Sequence, residues 1–447
     1  MNFKIFKFVF FHFIIWVLAI HFLAYMGLSV FPSYDFYQKQ YYPPTSEISY
    51  WERWGNWDGG AFRHIAEEGY TSVYTVFFPG YPLLIKLIML LGGNSLFSAL
   101  FVSYASTLTT LFFLYKLVLL DFDEKRAKLA VYALLAFPAS FYMLTIYSDG
   151  LALALALAAF YCIRTNKWIW ATLLSGFSVI TRLVSFGVYA GLLTEYLVKK
   201  DYRIYFNALR TSLIGRIFSI LLVTYILLSG IIYFGLFSPF SIIPGVILTL
   251  LPILLISLII LFGILLLIQR EHLFNGISFR KMYSVKFVIL ALSILPFIGY
   301  LYYQQIVFGS FLTFLTHEET IWGRHLTMPW DAPLYTLSII TTNLFRVGEL
   351  PAHMHMRLIS LTLNIICLVY SYFKLRFSYT VYFFIGILIP LLSGSLGDFM
   401  RFSLTSFPLF MVIALIKNEY LLKTYFFVSL MLLGMFVILF INGYFFI

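Results

Sequence analysis

Apolar runs of about 20 residues recur from one end of this chain to the other, each long enough as a helix to cross a hydrocarbon core of about 30 Å. The pattern predicts spans near 8–30, 95–120, 129–147, 150–164, 168–181, 184–198, 217–237, 240–268, 287–307, 357–373, 378–393, 402–416 and 424–446. A membrane β-barrel shows short alternating segments instead. The expected fold is therefore an all-α polytopic membrane protein with about 13 transmembrane helices. One apolar segment, 78–91, holds Pro79, Pro82 and Lys86 and stops at Gly92-Gly93. It is too short to cross comfortably and is expected to lie in the interface. Two long external stretches, about 31–94 and 308–356, are rich in Trp, Tyr, Phe and Pro, which suits chain folded back onto the interface. Within the first, 62–69 reads as a short surface helix with Ile65 and Ala66 packed down and Glu67 and Glu68 in water. No repeat or soluble domain interrupts the pattern, so 1–447 reads as a single transmembrane domain.

Composition agrees with that pattern. Of 447 residues, 62% are hydrophobic and 11% charged, with a mean hydropathy of +0.92, where soluble domains carry about 25% charged residues. The net charge of +11 comes from small basic clusters between apolar runs. Such clusters orient a membrane protein, and no basic stripe exists to bind nucleic acid. Lys4 and Lys7 precede the first run and no small-residue cleavage site follows it, so an uncleaved anchor with a cytoplasmic N-terminus is expected. Threaded that way, 21 of the 30 lysines and arginines face the cytoplasm and 9 face outside, as the positive-inside rule requires. The outer set includes Arg182, Arg324, Arg357 and Arg401. If 78–91 crossed, Asp149 would move inside and the Lys125/Arg126/Lys128 cluster would move out, against the rule. Cys162 and Cys367 fall inside spans, where thiols behave as small hydrophobes, and they offer no disulfide framework.

Against so much apolar sequence, the acids and arginines of the outer face stand out as candidate chemistry. Asp58 lies in Trp54-Gly55-Asn56-Trp57-Asp58-Gly59-Gly60. An interfacial carboxylate can accept a proton from a hydroxyl. Trp54 and Trp57 suit stacking on a sugar ring, and Gly59-Gly60 lets a substrate approach the backbone. The same Asp can equally cap a helix. Asp149, in Tyr147-Ser148-Asp149-Gly150, is a second acid at a membrane boundary, with capping again the alternative. Arg182, Arg324 beside His325, and Arg401 present guanidinium forks that match phosphate oxygens. Interface snorkelling is the competing account of each, and for Arg401 a pair with Asp398. His353 and His355 lack a third metal ligand at a recognised spacing, and His317-Glu318-Glu319 reads as a solvated helix start. No phosphate-loop lysine motif, GxGxxG, HExxH or GxSxG elbow occurs, which argues against nucleotide hydrolysis and serine-type chemistry.

Four segments, in order and covering most of the chain, resemble one family. WDGGAFRHIAEEGY followed by FFPGYPLLIKLI resembles the signature of the PIG-V-like mannosyltransferases, the family of the second GPI mannosyltransferase. FPASFYMLTIYSDG, WGRHLTMPW and DFMRFSLTSFPLF resemble its next motif, its later loop and its arginine-bearing final motif. The resemblance implies a GT-C membrane glycosyltransferase that takes a sugar from a polyprenyl- or dolichyl-phosphate carrier on the non-cytoplasmic side, without nucleotide or obligatory metal. It implies two catalytic carboxylates, Asp58 as the base or acceptor-orienting group of the first external loop and Asp149 as the carboxylate of the second. Trp57, Arg182, Arg324, His325 and Arg401 would bind substrate, with Arg401 on the donor phosphate. Two departures stand: Asp149 where relatives commonly carry Glu, and Gly80 where they carry a larger apolar residue. The expectation is thus a hexosyltransferase, mannose being the implied sugar, with a glycan or glycolipid acceptor, membrane lipids around it and no cofactor. It would act at the cell membrane in a prokaryote or the endoplasmic reticulum in a eukaryote. The rival expectation is a lipid or ion transporter, which would show inverted repeats and charges near the midplane.

Overall fold

The computed structural model describes residues 2–33, 48–199, 285–342 and 352–444. The predicted spans at 217–237 and 240–268, with Lys39 and Arg346, lie outside the described residues. Among the described residues every regular element is helical. In chain order the α-helices are α1 (Asn2–Val30), α2 (Asp58–Glu68), α3 (Gly80–Met89), α4 (Ser95–Val118), α5 (Glu124–Ala136), α6 (Asp149–Arg164), α7 (Trp168–Val179) and α8 (Phe186–Lys199). They continue as α9 (Val285–Ala291), α10 (Leu295–Phe308), α11 (Thr313–Trp322), α12 (Asp331–Thr342), α13 (Ala352–Lys374), α14 (Phe377–Leu391), α15 (Phe399–Leu404), α16 (Phe407–Ala414) and α17 (Glu419–Ile441). The chain forms two compact units, Met1–Glu195 with Val288–Ile447, and Tyr196–Phe287. Most of the second unit is outside the described residues, and everything below concerns the first.

Among the described residues, five stretches are long and apolar enough to cross a membrane: Phe3–Val30, Ser95–Val118, Val285–Phe308, Met354–Lys374 and Glu419–Ile441. The other predicted spans within the described residues hold shorter helices. The helix in the 78–91 segment, α3, has ten residues, and at 1.5 Å per residue it is about 15 Å long, half a hydrocarbon core. The predicted span 129–147 is a correction. Its helix, α5, stops at Ala136, because Pro138 disfavours helical backbone at Phe137, which is extended (φ −60, ψ 135). A short 3-10 turn (Ser140–Met143) and irregular chain then lead to Asp149. Buried irregular backbone needs hydrogen-bond partners inside the protein. The polar face of α4 supplies them: the hydroxyls of Ser103, Thr107 and Thr110 donate to the carbonyls of Thr145 (2.7 Å), Met143 (2.7 Å) and Gly150 (3.3 Å). The predicted span 402–416 breaks in the same way, between α15 and α16, where Pro408 starts a new helix.

The aromatic residues of the two external stretches form a joint core. Phe78 packs edge-on against Phe314 (5.5 Å) and tilted against Tyr300 (5.4 Å). Tyr300 donates to the Thr75 carbonyl at 2.5 Å. At the far end of α6 from Asp149, Arg164 forks onto Asp121 (2.8 and 2.9 Å), and Arg376 with Ser378 holds Glu195 at 2.8 Å each. The 16 residues of α6 separate that network from the residues around Asp149 by about 22 Å.

Candidate active site

Asp58 opens α2, but it does not cap it. Elsewhere the sequence caps helices with Asn94, Asp123 and Asn418, whose side chains accept from backbone N–H groups of the first turn. The cap of α2 is Trp57, with no side-chain bond and a backbone at φ 65, ψ −115. That conformation costs a bulky residue about 1–3 kcal/mol and persists only where surrounding contacts enforce it. Here Asn56 donates to the Phe440 carbonyl (2.8 Å), Trp54 accepts from the Ile146 N–H (2.9 Å), and the Tyr147 hydroxyl donates to the Asn56 carbonyl (2.9 Å). Freed from capping, the Asp58 carboxylate accepts from Arg401 at 3.0 Å.

Arg401 is delivered by α15, whose cap, Asp398, is also left-handed (φ 60, ψ 11). Among the described residues three non-glycine residues have positive φ, and two of them, Trp57 and Asp398, adjoin this one ion pair. The Arg401 guanidinium lies over the rings of Tyr147 (5.0 Å) and Tyr142 (5.7 Å) and reaches Asp398 at 3.7 Å. Asp398 also accepts from Arg324 at 3.2 Å, and Arg324 stands 3.8 Å from Glu318. Arg182 follows α7 in extended backbone, 2.6 Å from Asp149 and over the Phe402 ring at 5.1 Å.

These groups border a cavity of about 350 Å³, within the usual size of small-ligand pockets. One end is polar, with Asp58, Ser148, Arg182, Arg324, His325, Asp398 and Arg401. The rest is mainly apolar, from Phe78 and Leu183 to Phe314, Leu315, Ile389 and Leu392, with Thr181, Glu318 and Ser393 among them. The Asp58 side chain keeps 28% of its surface open, yet protein encloses it on a wider radius. Burial therefore raises its pKa above the ordinary carboxylate value; Arg401 opposes the rise and Asp398 adds to it. Burial likewise raises Glu318, against Arg324.

Five of the seven residues singled out in the sequence, Asp58, Arg182, Arg324, His325 and Arg401, line this cavity. The structure departs from the sequence expectation at the other two. Asp149 is fully buried behind the wall, held by Arg182, and neither caps a helix nor faces the cavity. Trp57 does not line the cavity and Trp54 is fully buried, so neither ring meets a ligand there. Gly80 has a geometric reason: a Cβ would lie 2.3 Å from the Thr181 hydroxyl and 3.0 Å from the Ile180 carbonyl. Glu318, expected in solvent, and Asp398, expected only beside Arg401, are both part of the site. The i,i+3 spacing of Asp398 and Arg401 is the one local signal for the latter. Among the described residues no three His, Cys, Asp or Glu side chains gather as a cation cage. In comparisons with known proteins, no family model matches the chain, and neither a curated protein nor a solved structure matches it.

Proposed function

We propose that this chain is a membrane glycosyltransferase that moves a hexose from a polyprenyl-phosphate donor to an acceptor hydroxyl, with Asp58 as general base. One observation carries the proposal: a carboxylate of raised proton affinity is bonded to an arginine in a cavity that combines a cluster of charged side chains with a mainly apolar wall. A base works best with a pKa lifted toward the operating pH, and an amphiphilic donor needs both kinds of wall. Charge favours a singly charged phosphodiester over a nucleotide sugar. Four guanidiniums, of Arg182, Arg324, Arg401 and, behind Asp398, Arg357, face four carboxylates, of Asp58, Asp149, Glu318 and Asp398, so the site has no surplus of positive charge.

In the step proposed, the acceptor oxygen forms a bond to the anomeric carbon as its proton passes to an oxygen of Asp58. The bond from the anomeric carbon to the phosphate oxygen breaks, that oxygen keeps the electron pair, and the sugar inverts. Arg401 and Arg324 stabilise the added charge on the departing polyprenyl phosphate. Mannose as the sugar, a glycan or glycolipid acceptor and PIG-V-like membership rest on the resemblance of the four motifs. A GT-C-like bundle of about 13 crossings, with the cavity outside, completes the proposal. It is supported by the five long apolar helices and by the meeting of four residues that the charge rule assigns to the outer face, Asp58, Arg182, Arg324 and Arg401.

The test is Asp58→Asn, assayed for transfer from radiolabelled polyprenyl-phosphate mannose in membranes. Loss of a general base lowers the rate roughly 10²–10⁴-fold. Full transfer by a folded variant would sink the assignment, and movement of the carrier lipid without any transfer would favour a flippase.

A further inference from the structure

We propose that one face of α11, carrying Glu318 and Trp322, is the surface of this cavity that recognises the sugar, with Glu318 accepting from ring hydroxyls and Trp322 packing against the C–H face of the ring. The inference rests on the reading above that the substrate carries a hexose.

Phe314, Leu315, Glu318 and Trp322 all line the cavity. Their spacing of three and four residues places them on one side of the helix, with Glu318 and Trp322 one turn apart at roughly 5–6 Å between Cβ atoms. The side of α11 facing the cavity is therefore graded. Phe314 and Leu315 extend the apolar wall, and the acid and the indole lie toward the polar end. A carboxylate beside an aromatic plate answers the two surfaces of a pyranose, hydroxyls at the edge and C–H groups on the face.

Each side chain is fixed yet has capacity to spare. Trp322 is braced edge-on by Phe77 at 5.9 Å and keeps 39% of its surface exposed. The Oε2 atom of Glu318 is buried and makes no hydrogen bond, and Arg324, at 3.8 Å, is beyond hydrogen-bond reach of it. The end of the helix ties both residues to the phosphate-binding side. Gly323 is left-handed (φ 63), the Arg324 N–H returns to the Glu318 carbonyl at 2.9 Å, and the chain reverses so that Arg324 and His325 re-enter the cavity. A sugar on Trp322 would then sit next to a phosphate on Arg324.

The test uses the full chain purified in detergent and compares the Kd of farnesyl phosphate with that of farnesyl phosphate mannose. The unmodified protein should bind the sugar-bearing ligand more tightly. Glu318→Gln and Trp322→Leu should each shrink that ratio by tenfold or more without weakening farnesyl phosphate, which Glu318→Gln should bind somewhat more tightly because a carboxylate beside Arg324 is gone, and Trp322→Phe should keep part of it. The farnesyl phosphate affinity also reports that the variants are folded. A sugar preference that survives in both variants would overturn the inference and leave the transferase reading standing. Parallel loss of both ligands in Glu318→Gln and Trp322→Phe would also overturn it, by making the two residues scaffold. No sugar preference in the unmodified protein would overturn the transferase reading itself, and this inference with it.

Discussion

Replacing Asp149 with asparagine removes the negative partner of a guanidinium that lies within the protein. Asp149 is fully buried and Arg182 keeps 10% exposure, with 2.6 Å between them. After the change, Arg182 faces the Phe402 ring at 5.1 Å and the like charge of Arg401, and only Asp58 and Asp398, neither within ion-pair distance of it, are left to offset its desolvation. Breaking a buried pair by removing one partner costs about 3–5 kcal/mol, and even the lower figure is roughly a hundredfold in an equilibrium constant. Asparagine is nearly isosteric, so the loss is electrostatic and leaves no cavity. The assay is thermal unfolding of detergent-purified protein, with survival of the monodisperse peak after heating as the kinetic counterpart. Asp149→Asn should unfold well below the unmodified protein. Asp149→Leu combined with Arg182→Met, which removes both charges at similar volume, should recover most of the loss. An Asp149→Asn protein that keeps its stability and loses sugar transfer would refute this reasoning and return Asp149 to the chemistry.

Transfer should fail in acid at a higher pH than an ordinary aspartate would cause. The base must be ionised, burial raises the Asp58 pKa, and protonation therefore begins above the usual value of 3.8 as pH falls. Of the groups facing Asp58, Arg401 and Arg182 oppose that rise and Asp398 adds to it, so Asp398→Asn should move the acid limb of the pH–rate profile to lower pH. An unmoved limb would separate it from Asp58. Asparagine tolerates the left-handed backbone at that position, φ 60, so the change should not cost the fold. Gly80→Ala should destabilise by about 1–3 kcal/mol, since its Cβ meets a hydroxyl at 2.3 Å and a backbone carbonyl at 3.0 Å. Adding Thr181→Ala should relieve only the first contact, and full recovery in that double variant, read by thermal unfolding, would show that the backbone approach does not matter.

Periodicity made the helices legible, but their ends depended on features that an average over some 20 residues smooths away. Pro138 and Pro408 end or restart helices inside runs that are apolar on average. The hydroxyls that make the first break tolerable, Ser103, Thr107 and Thr110, belong to another helix about 40 residues earlier. Asp58 was legible because an acid among tryptophans is costly unless it is used or paired. Which tryptophan faces the cavity was not. Trp54, Trp57 and Trp322 all sit in polar, glycine-containing external segments. Packing between distant segments decides it: Trp54 is enclosed against His21 and the Ile146 backbone, and Trp322 is held at the cavity by Phe77, nearly 250 residues before it.

The arginines carry the larger lesson. Read one at a time, Arg182, Arg324 and Arg401 are three open forks awaiting a phosphate. In the folded protein each already holds a carboxylate: Asp149, Asp398 and Asp58 respectively. Their partners lie up to 343 positions away in sequence, so no local pattern reveals the pairing. On the proposed reading an incoming phosphate must exchange partners with these acids, and its affinity is the difference between two sets of charge-assisted bonds. The exchange at Arg401 has a chemical consequence. A phosphate that takes the Arg401 guanidinium removes the one side-chain donor found on the Asp58 carboxylate among the described residues, and loss of that cation favours protonation. The carboxylate is thereby freed as a base at the moment when a donor phosphate occupies the site.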